Sequence, residues 1–282
     1  MIKSVFYPGE SWVYYKLYCS PRTADRFLSE ILRPLINKLY HEELIEKWFF
    51  IRYRDPEHHV RLRLKKEASQ NIDAILNHAL DALSHFLDYK LIYKIQLDGY
   101  IREMERYGEQ TIDLCESIFQ EDSELALTIT SFCISDIQLV AWTLDQIRHY
   151  VDCFKLSDQE AQLFYRSRRD AFFKEFNISG KRKLAFRKKF EREKEAIDKF
   201  DSSNLSCHDL ILEKRKNIQA LSGQVLSKLA SNSKTLGKES LLGSLIHMSA
   251  NRIYRDEQRM YEMICYDYMC RLVPANRTEE RN

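Results

Sequence analysis

The chain has 282 residues, 44% hydrophobic and 30% charged, enough for one large domain or two small ones with a sizeable core, and disorder is not expected. A formal net charge of +2 gives no compositional case for nucleic acid, and no window approaches the roughly 18 apolar residues of a membrane span. Only 7 Gly and 5 Pro are present, which suits long helices and argues against an all-β fold. The seven cysteines are odd in number and lack CxxC or other ligand spacing, so they read as free thiols in a reducing cytosol. The opening MIKSVFYPGESW has no apolar run of signal-peptide length, and the expected location is cytoplasmic.

In chain order, WVYYKLYC from Trp12 to Cys19 is rich in aromatic residues and reads as a strand. Thr23 to Leu44 carries Phe27, Ile31, Leu35 and Leu39 at helical spacing, with Pro34 predicting a kink. Trp48 to Tyr53 and His59 to Lys65 are two strands around a turn at Asp55-Pro56-Glu57-His58. Asn71 to Leu87 is a second helix, and Leu91 to Gly99 a fourth strand. The order β-α-β-β-α-β is that of the split-βαβ, ferredoxin-like layer, in which two helices cover one face of a four-stranded antiparallel sheet and leave the other open.

The hairpin carries Arg52, Arg54, Arg61 and Arg63. Alternation after the turn sets Val60, Leu62 and Leu64 against His59, Arg61 and Arg63, so the apolar trio belongs under the helices and the basic trio on the open face. A solvated edge strand that resists aggregation would look the same. The functional reading is a clamp for carboxylate or phosphate, whose geometry matches the paired donors of guanidinium.

After Tyr107 no alternation recurs. Leu125 to Tyr150 reads as one long helix, and Ser157 with Glu160 forms a capping box for a helix running to about Phe176. Lys181 to Phe200, Asp209 to Leu229 and Glu239 to Arg271 are the remaining helices. The expected organisation is therefore α+β: a ferredoxin-like part over 1–108, then a helical part over 109–282 that covers the open sheet face and supplies His247. Lys181 to Lys194 holds eight basic and two acidic residues, which reads as a solvated helix face rather than a tRNA or peptide surface. Glu103 and Arg106, three apart in YIREMERYGE, would sit side by side on one helical turn. His247, in SLIHMSANRIY, shares a helix face with Asn251 and Tyr254; histidine is the natural general base near neutral pH, although a lone helical histidine is commonly structural. There is no GxGxxG, P-loop, HExxH or nucleophile elbow, so no metal or cofactor is expected.

Five pieces in this order, the W-x-Y-x-K-L-Y opening at Trp12, FFIRYRDPEHHVRLRL, YIREMERYG, ESIFQEDSELAL and HMSANRI, resemble the thiopeptide-type bacteriocin biosynthesis family. The chain is similar to the C-terminal elimination domain of class I lanthipeptide dehydratases over almost its whole length, least so from Lys155 to Leu236. What the resemblance implies is a lyase without a cofactor. A separate subunit would glutamylate Ser or Thr of a ribosomal precursor peptide from glutamyl-tRNA, and this chain would expel glutamate to leave dehydroalanine or dehydrobutyrine. No direct tRNA binding is expected, and a homodimer is compatible with the reading. The family's elimination residues fall on Arg61, Arg63, Glu103, Arg106 and His247, with His59, Arg52, Asn251 and Arg252 expected to bind substrate around them. His247 would be the base; alternatively it orients the ester while Glu103 takes part in proton transfer. Two positions depart from the family pattern: Glu109 stands where a second glycine is common, and Ser249 where another histidine is common. Relatives on the same fold include pyridine synthases, which perform a formal [4+2] cycloaddition between dehydroalanines, and a non-catalytic leader-binding module is a third reading.

Overall fold

A computed structural model describes residues 2–132, 135–231 and 237–273. Strands β2 (Trp12–Cys19), β3 (Ile45–Arg54), β4 (His58–Lys66) and β5 (Ile92–Asp98) form one antiparallel sheet in the order β3-β4-β2-β5, the arrangement of a split βαβ unit. Helices α1 (Pro21–Arg26), α2 (Arg33–His41) and α3 (Ile72–Asp88) bury Leu39, Ile75, Leu83 and Phe86 on the sheet face that carries Val60, Leu62 and Leu64. Two short strands escaped the alternation: β1 (Val5–Phe6) pairs with β6 (Tyr100–Ile101) in a second, two-stranded sheet.

Pro34 does not break its helix. The missing N–H and the ring of proline disturb the preceding turn, and here Phe27–Leu32 widens into a π-helix immediately before α2. The expected end at Leu44 gives way to one at His41. Glu43 takes a left-handed φ of 52°, and Leu44 N–H donates to the Leu39 carbonyl at 2.9 Å. The same ending recurs with Lys90 before Leu91, Lys155 before Leu156 and Asn177 before Ile178. Each is a Schellman-type stop with a charged or amide residue where glycine is customary.

The second half is helical: α4 (Met104–Tyr107), α5 (Ile112–Thr130), α6 (Asp136–Cys153), α7 (Asp158–Glu175), α8 (Gly180–Asp198), α9 (His208–Ala230), α10 (Lys238–Ile253) and α11 (Gln258–Leu272). The single helix expected over Leu125 to Tyr150 is two; α5 starts earlier and stops at Thr130, and Ser135 opens α6 with a capping box to Gln138. Residues 133–134 of that expected helix lie outside the described residues. The single helix expected over Glu239 to Arg271 is also two. Tyr254 turns extended and Glu257 is left-handed at φ 52°, so the chain folds back and α11 packs on α10. Among the described residues no helix is long and apolar enough to cross a membrane, and the six described cysteines are free.

The helical half meets the sheet from the side. α5 runs along the β3 edge, where the Trp48 N–H donates to Gln120 Oε1 and the Phe50 N–H to Ser123 Oγ, both at 3.2 Å. These bonds satisfy donors that an edge strand otherwise exposes. Arg252 at the end of α10 is only 1% exposed and crosses to the same helix, donating from Nη1 to Asp122 Oδ2 at 2.9 Å and from Nε to Ser123 Oγ at 3.0 Å. Removing one member of such a buried pair strands the other charge. Arg252→Ala should therefore cost about 3–5 kcal/mol. The paired replacement Arg252→Met with Asp122→Leu should recover a large part of that loss, both read from urea unfolding midpoints.

Candidate active site

The strand register decides which hairpin side chains share a face. Arg61 lies opposite Ile51 and Lys16, Arg63 opposite Phe49 and Tyr14, and His59 opposite Tyr53 and Tyr18, so this row projects from the face away from α1–α3. Arg52 lies opposite Val60 and turns to the helix-covered face. There it binds Asp25 Oδ1 at 2.6 Å and the Arg252 carbonyl at 3.0 Å. The four hairpin arginines thus do not act as one patch: Arg52 is compensated, and Arg54 reaches out to Asp256 at 3.4 Å.

Arg61 and Arg63 differ from them. Arg63 is 8% exposed, and its guanidinium carbon lies 4.4, 4.8 and 5.3 Å from the ring centroids of Tyr14, Tyr100 and Phe49. Its Nε is buried and has no acceptor. Arg61 stacks on Tyr53, 3.4 Å from the ring centroid, and donates from Nε to His59 Nε2 at 3.0 Å. Among the described residues neither arginine has a carboxylate partner, whereas the neighbouring Lys16 is paired with Asp98. Aromatic faces hold both cations in place without neutralising them.

His59 stands behind Arg61 and outside the cleft. Since Nε2 accepts from Arg61, the ring is neutral and Nδ1–H donates to the Glu57 carbonyl at 2.8 Å. Burial, and then the Arg61 charge, lower its pKa. The neutral form belongs to the folded state, so below about pH 6.5 the unfolded chain holds more protons and stability falls with pH. Denaturation midpoints at pH 7.5 and 5.5 should show this loss, and His59→Gln should reduce it.

The facing wall comes from α4, at the end of the 1–108 part, and from the helices of the 109–282 part. Glu103 is the N-cap of α4 and Arg106 lies within it, with Arg106 Nε 3.2 Å from Glu103 Oε2, and Gly108 ends that turn at φ 72°. His247 projects from α10, and Asn251 one turn later donates from Nδ2 to His247 Nε2 at 3.1 Å. Nδ1 of His247 lies 2.7 Å from Oε2 of Glu262, a residue of α11 only 4% exposed. In one unbroken helix residues 247 and 262 would be about 22 Å apart along the axis; the reversal at 254–257 brings them together. The carboxylate selects the Nδ1–H tautomer and leaves the Nε2 lone pair toward the cleft, where the Asn251 amide now caps it.

These walls enclose a cleft of about 430 Å³ lined by Arg61, Arg63, Glu103, Arg106 and His247 together. Asn251, Arg52 and Arg54 line it as well, Arg52 with its guanidinium already bound to Asp25. Arg252 is not a cleft residue: it is consumed by Asp122 inside the protein. Ser249 likewise turns away and donates to Asp122 Oδ1 at 2.9 Å, so that departure from the family pattern lies outside the cleft. Sequence reasoning missed Glu262, because nothing local links it to His247, and Arg259, which also lines the cleft and holds Glu175 bidentately at 2.8 and 2.5 Å. That contact keeps the Glu175 carboxyl below its ordinary range. In chemical terms the cleft offers two uncompensated guanidiniums, one acid–arginine pair and a carboxylate-backed imidazole.

A profile of the family described as "Lantibiotic biosynthesis dehydratase C-term" matches residues 12–273. The chain belongs to that family. Among curated proteins it is similar to the subtilin biosynthesis protein SpaB of Bacillus subtilis, 24% identical over 91% of this chain, and to the nisin biosynthesis protein NisB of Lactococcus lactis subsp. lactis, 25% identical over 92%. It spans about a quarter of the length of these relatives. Among solved structures, the tRNA dependent lantibiotic dehydratase MibB from Microbispora sp. 107891 aligns with a TM-score of 0.69 at 19% identity, over 93% of this chain and 28% of that one. The pyridine synthase TbtD from thiomuracin biosynthesis aligns with a TM-score of 0.66 at 14% identity, over 94% of this chain and 99% of that one. At these identities the structural likeness speaks for the fold.

Proposed function

We propose that the chain eliminates glutamate from O-glutamylated Ser or Thr in a ribosomally made precursor peptide, leaving dehydroalanine or dehydrobutyrine. The observation that carries this reading is the pair Arg61 and Arg63, two guanidiniums held on aromatic rings and, among the described residues, without an ion-paired carboxylate, facing His247 across one cleft. An anionic substrate group is what such a pair lacks. The glutamyl arm brings a side-chain carboxylate and, as the ester breaks, a second one.

In the reaction His247 Nε2 takes the Cα proton once substrate displaces the Asn251 amide. The electron pair forms the Cα=Cβ bond, Cβ–O cleaves, and glutamate departs with the ester electrons as a carboxylate. Arg61 and Arg63 stabilise that departing charge, Arg106 with Glu103 holds the other end of the arm, and Glu262 offsets the imidazolium that forms. The sheet part, 1–108, thus serves as the anion wall and the helical part, 109–282, as the base wall. The glutamyl group itself comes from a separate module that uses glutamyl-tRNA; this chain is proposed to meet the peptide after that step, in the cytoplasm and without contacting tRNA.

The test is incubation with a glutamylated precursor followed by mass spectrometry. Arg63→Ala and Arg106→Ala should stay folded and accumulate glutamylated peptide, with rates down on the order of 100-fold or more. Arg→Lys should rescue poorly, because one ammonium cannot offer paired donors. His247→Ala should lose roughly 10²–10⁴-fold. Glu262→Gln should lose about as much, since an amide donating to Nδ1 moves the proton onto Nε2. Parental rates in these variants would overturn the site.

One observation favours a second reading. A pyridine synthase is matched over 99% of its own length, so the chain could close a pyridine ring on a dehydrated peptide. The two uncompensated arginines weigh against it, because the dehydroalanines of a cycloaddition are neutral. A ring-closed product from a dehydrated peptide, with no glutamate released from a glutamylated one, would decide for it.

A further inference from the structure

The cleft does not end at His247. A second cavity, of about 240 Å³, opens beyond that histidine and shares Arg106, His247 and Arg259 with the first. Ala171 and Phe172 of α7 and Gly243 and Ser244 of α10 form its own walls, together with Arg168. Gly243 is what admits Arg168: a Cβ there would stand 2.3 Å from Arg168 Nη2. The guanidinium donates to the Glu239 carbonyl at 2.8 Å and lies 5.3 Å from the Phe164 ring centroid. Among the described residues it has no carboxylate partner. The other charges of this lobe are spoken for: Arg106 by Glu103, Arg259 by Glu175, and Glu262 by His247. One partly buried cation is therefore left over, at the far side of the base from Arg61 and Arg63.

We infer that this second lobe receives the peptide segment next to the modified residue and that Arg168 selects an acidic side chain in it. The inference rests on the elimination reading for the position of the glutamyl arm. A glutamylated residue branches: the arm leaves through Cβ while the main chain runs both ways from Cα. With the Cα proton at His247 and the arm in the sheet-side lobe, one direction of the main chain must leave past His247, and the second lobe is the opening there. Small side chains on two helices leave it room for a main chain, and an uncompensated guanidinium with five donors favours a carboxylate over an ammonium.

The test uses the full chain and two dye-labelled peptides that differ only in Asp or Lys beside the Ser, on both sides, followed by fluorescence anisotropy. The Asp peptide should bind roughly three- to tenfold tighter, the scale of a partly exposed charge pair, and Arg168→Glu should invert the order. Ala171→Trp, at an exposed position, should weaken both peptides. Release of glutamate from N-acetyl-O-glutamylserine methylamide, which has no flanking residues, should change less than about twofold in either variant, because no group facing the arm or the proton is altered. Equal binding of the two peptides, an unchanged order in Arg168→Glu, or full affinity in Ala171→Trp would overturn the inference. If the parent releases no glutamate from the minimal ester, the elimination reading fails, while the anisotropy still decides the lobe.

Discussion

One face of α5 carries the constraint on which the cleft depends. Glu116, Gln120 and Ser123 recur at i, i+4 and i+7, with Asp122 beside them, and each takes up a polar group from elsewhere in the chain. Gln120 and Ser123 close the β3 edge, Asp122 holds Arg252 of α10, and Glu116, which is 0% exposed, holds Arg102 after β6 through bonds of 2.7 and 2.6 Å. Tyr100 adds a third bond to Glu116 at 2.9 Å. These are charges removed from water, where each is tolerable only with its partner in place. The helix is thereby fixed against the sheet edge in one position, and the distance between the two walls follows from it. ESIFQEDSELAL, which carried resemblance but no role in the sequence, is the segment that holds sheet and helices together.

The cleft is built in the opposite way. Inside the α5 network every buried charge has a counter-charge; among the described residues neither Arg61 nor Arg63 makes an ion pair in the cleft. Leaving a cation uncompensated costs stability, and the aromatic faces of Tyr53, Tyr14, Tyr100 and Phe49 offset part of that cost without supplying an anion. They also immobilise the guanidiniums before substrate arrives, so little ordering remains to be done on binding. The rigid pairs around α5 are what allow this, since a loose interface would let the helices close on the arginines with their own carboxylates.

The β-α-β-β-α-β order was legible because alternation and helical spacing are local signals, as was the shared face of Arg61 and Arg63. Helix ends were less legible, and for one reason. Glu43, Lys90, Lys155 and Asn177 occupy left-handed stops where a reader looks for glycine, and only the hydrophobic residue after each, Leu44, Leu91, Leu156 or Ile178, hints at the motif. The breaks inside Leu125 to Tyr150 and Glu239 to Arg271 were hidden because apolar spacing resumes in phase on both sides. Arg52 shows a different limit. Its type and its neighbourhood suggested substrate, yet strand parity sends it to the opposite face, and only the register reveals Asp25 waiting there. Glu262 was beyond sequence altogether, because its relation to His247 exists only after the chain reverses at 254–257.

That reversal bears on how one fold can host different chemistries. An imidazole with a buried carboxylate at Nδ1 is suited to hold a proton taken from carbon, since the carboxylate offsets the charge that arrives. A cycloaddition between two dehydroalanines expels no carboxylate, so Arg63 would have no departing anion to stabilise. Here Glu262 and Arg63 are polar groups inside the protein, 4% and 8% exposed, where burial without a partner is costly. Arg63 among three aromatic rings and Glu262 behind His247 thus support the proposed elimination on physical grounds, separate from any likeness in sequence.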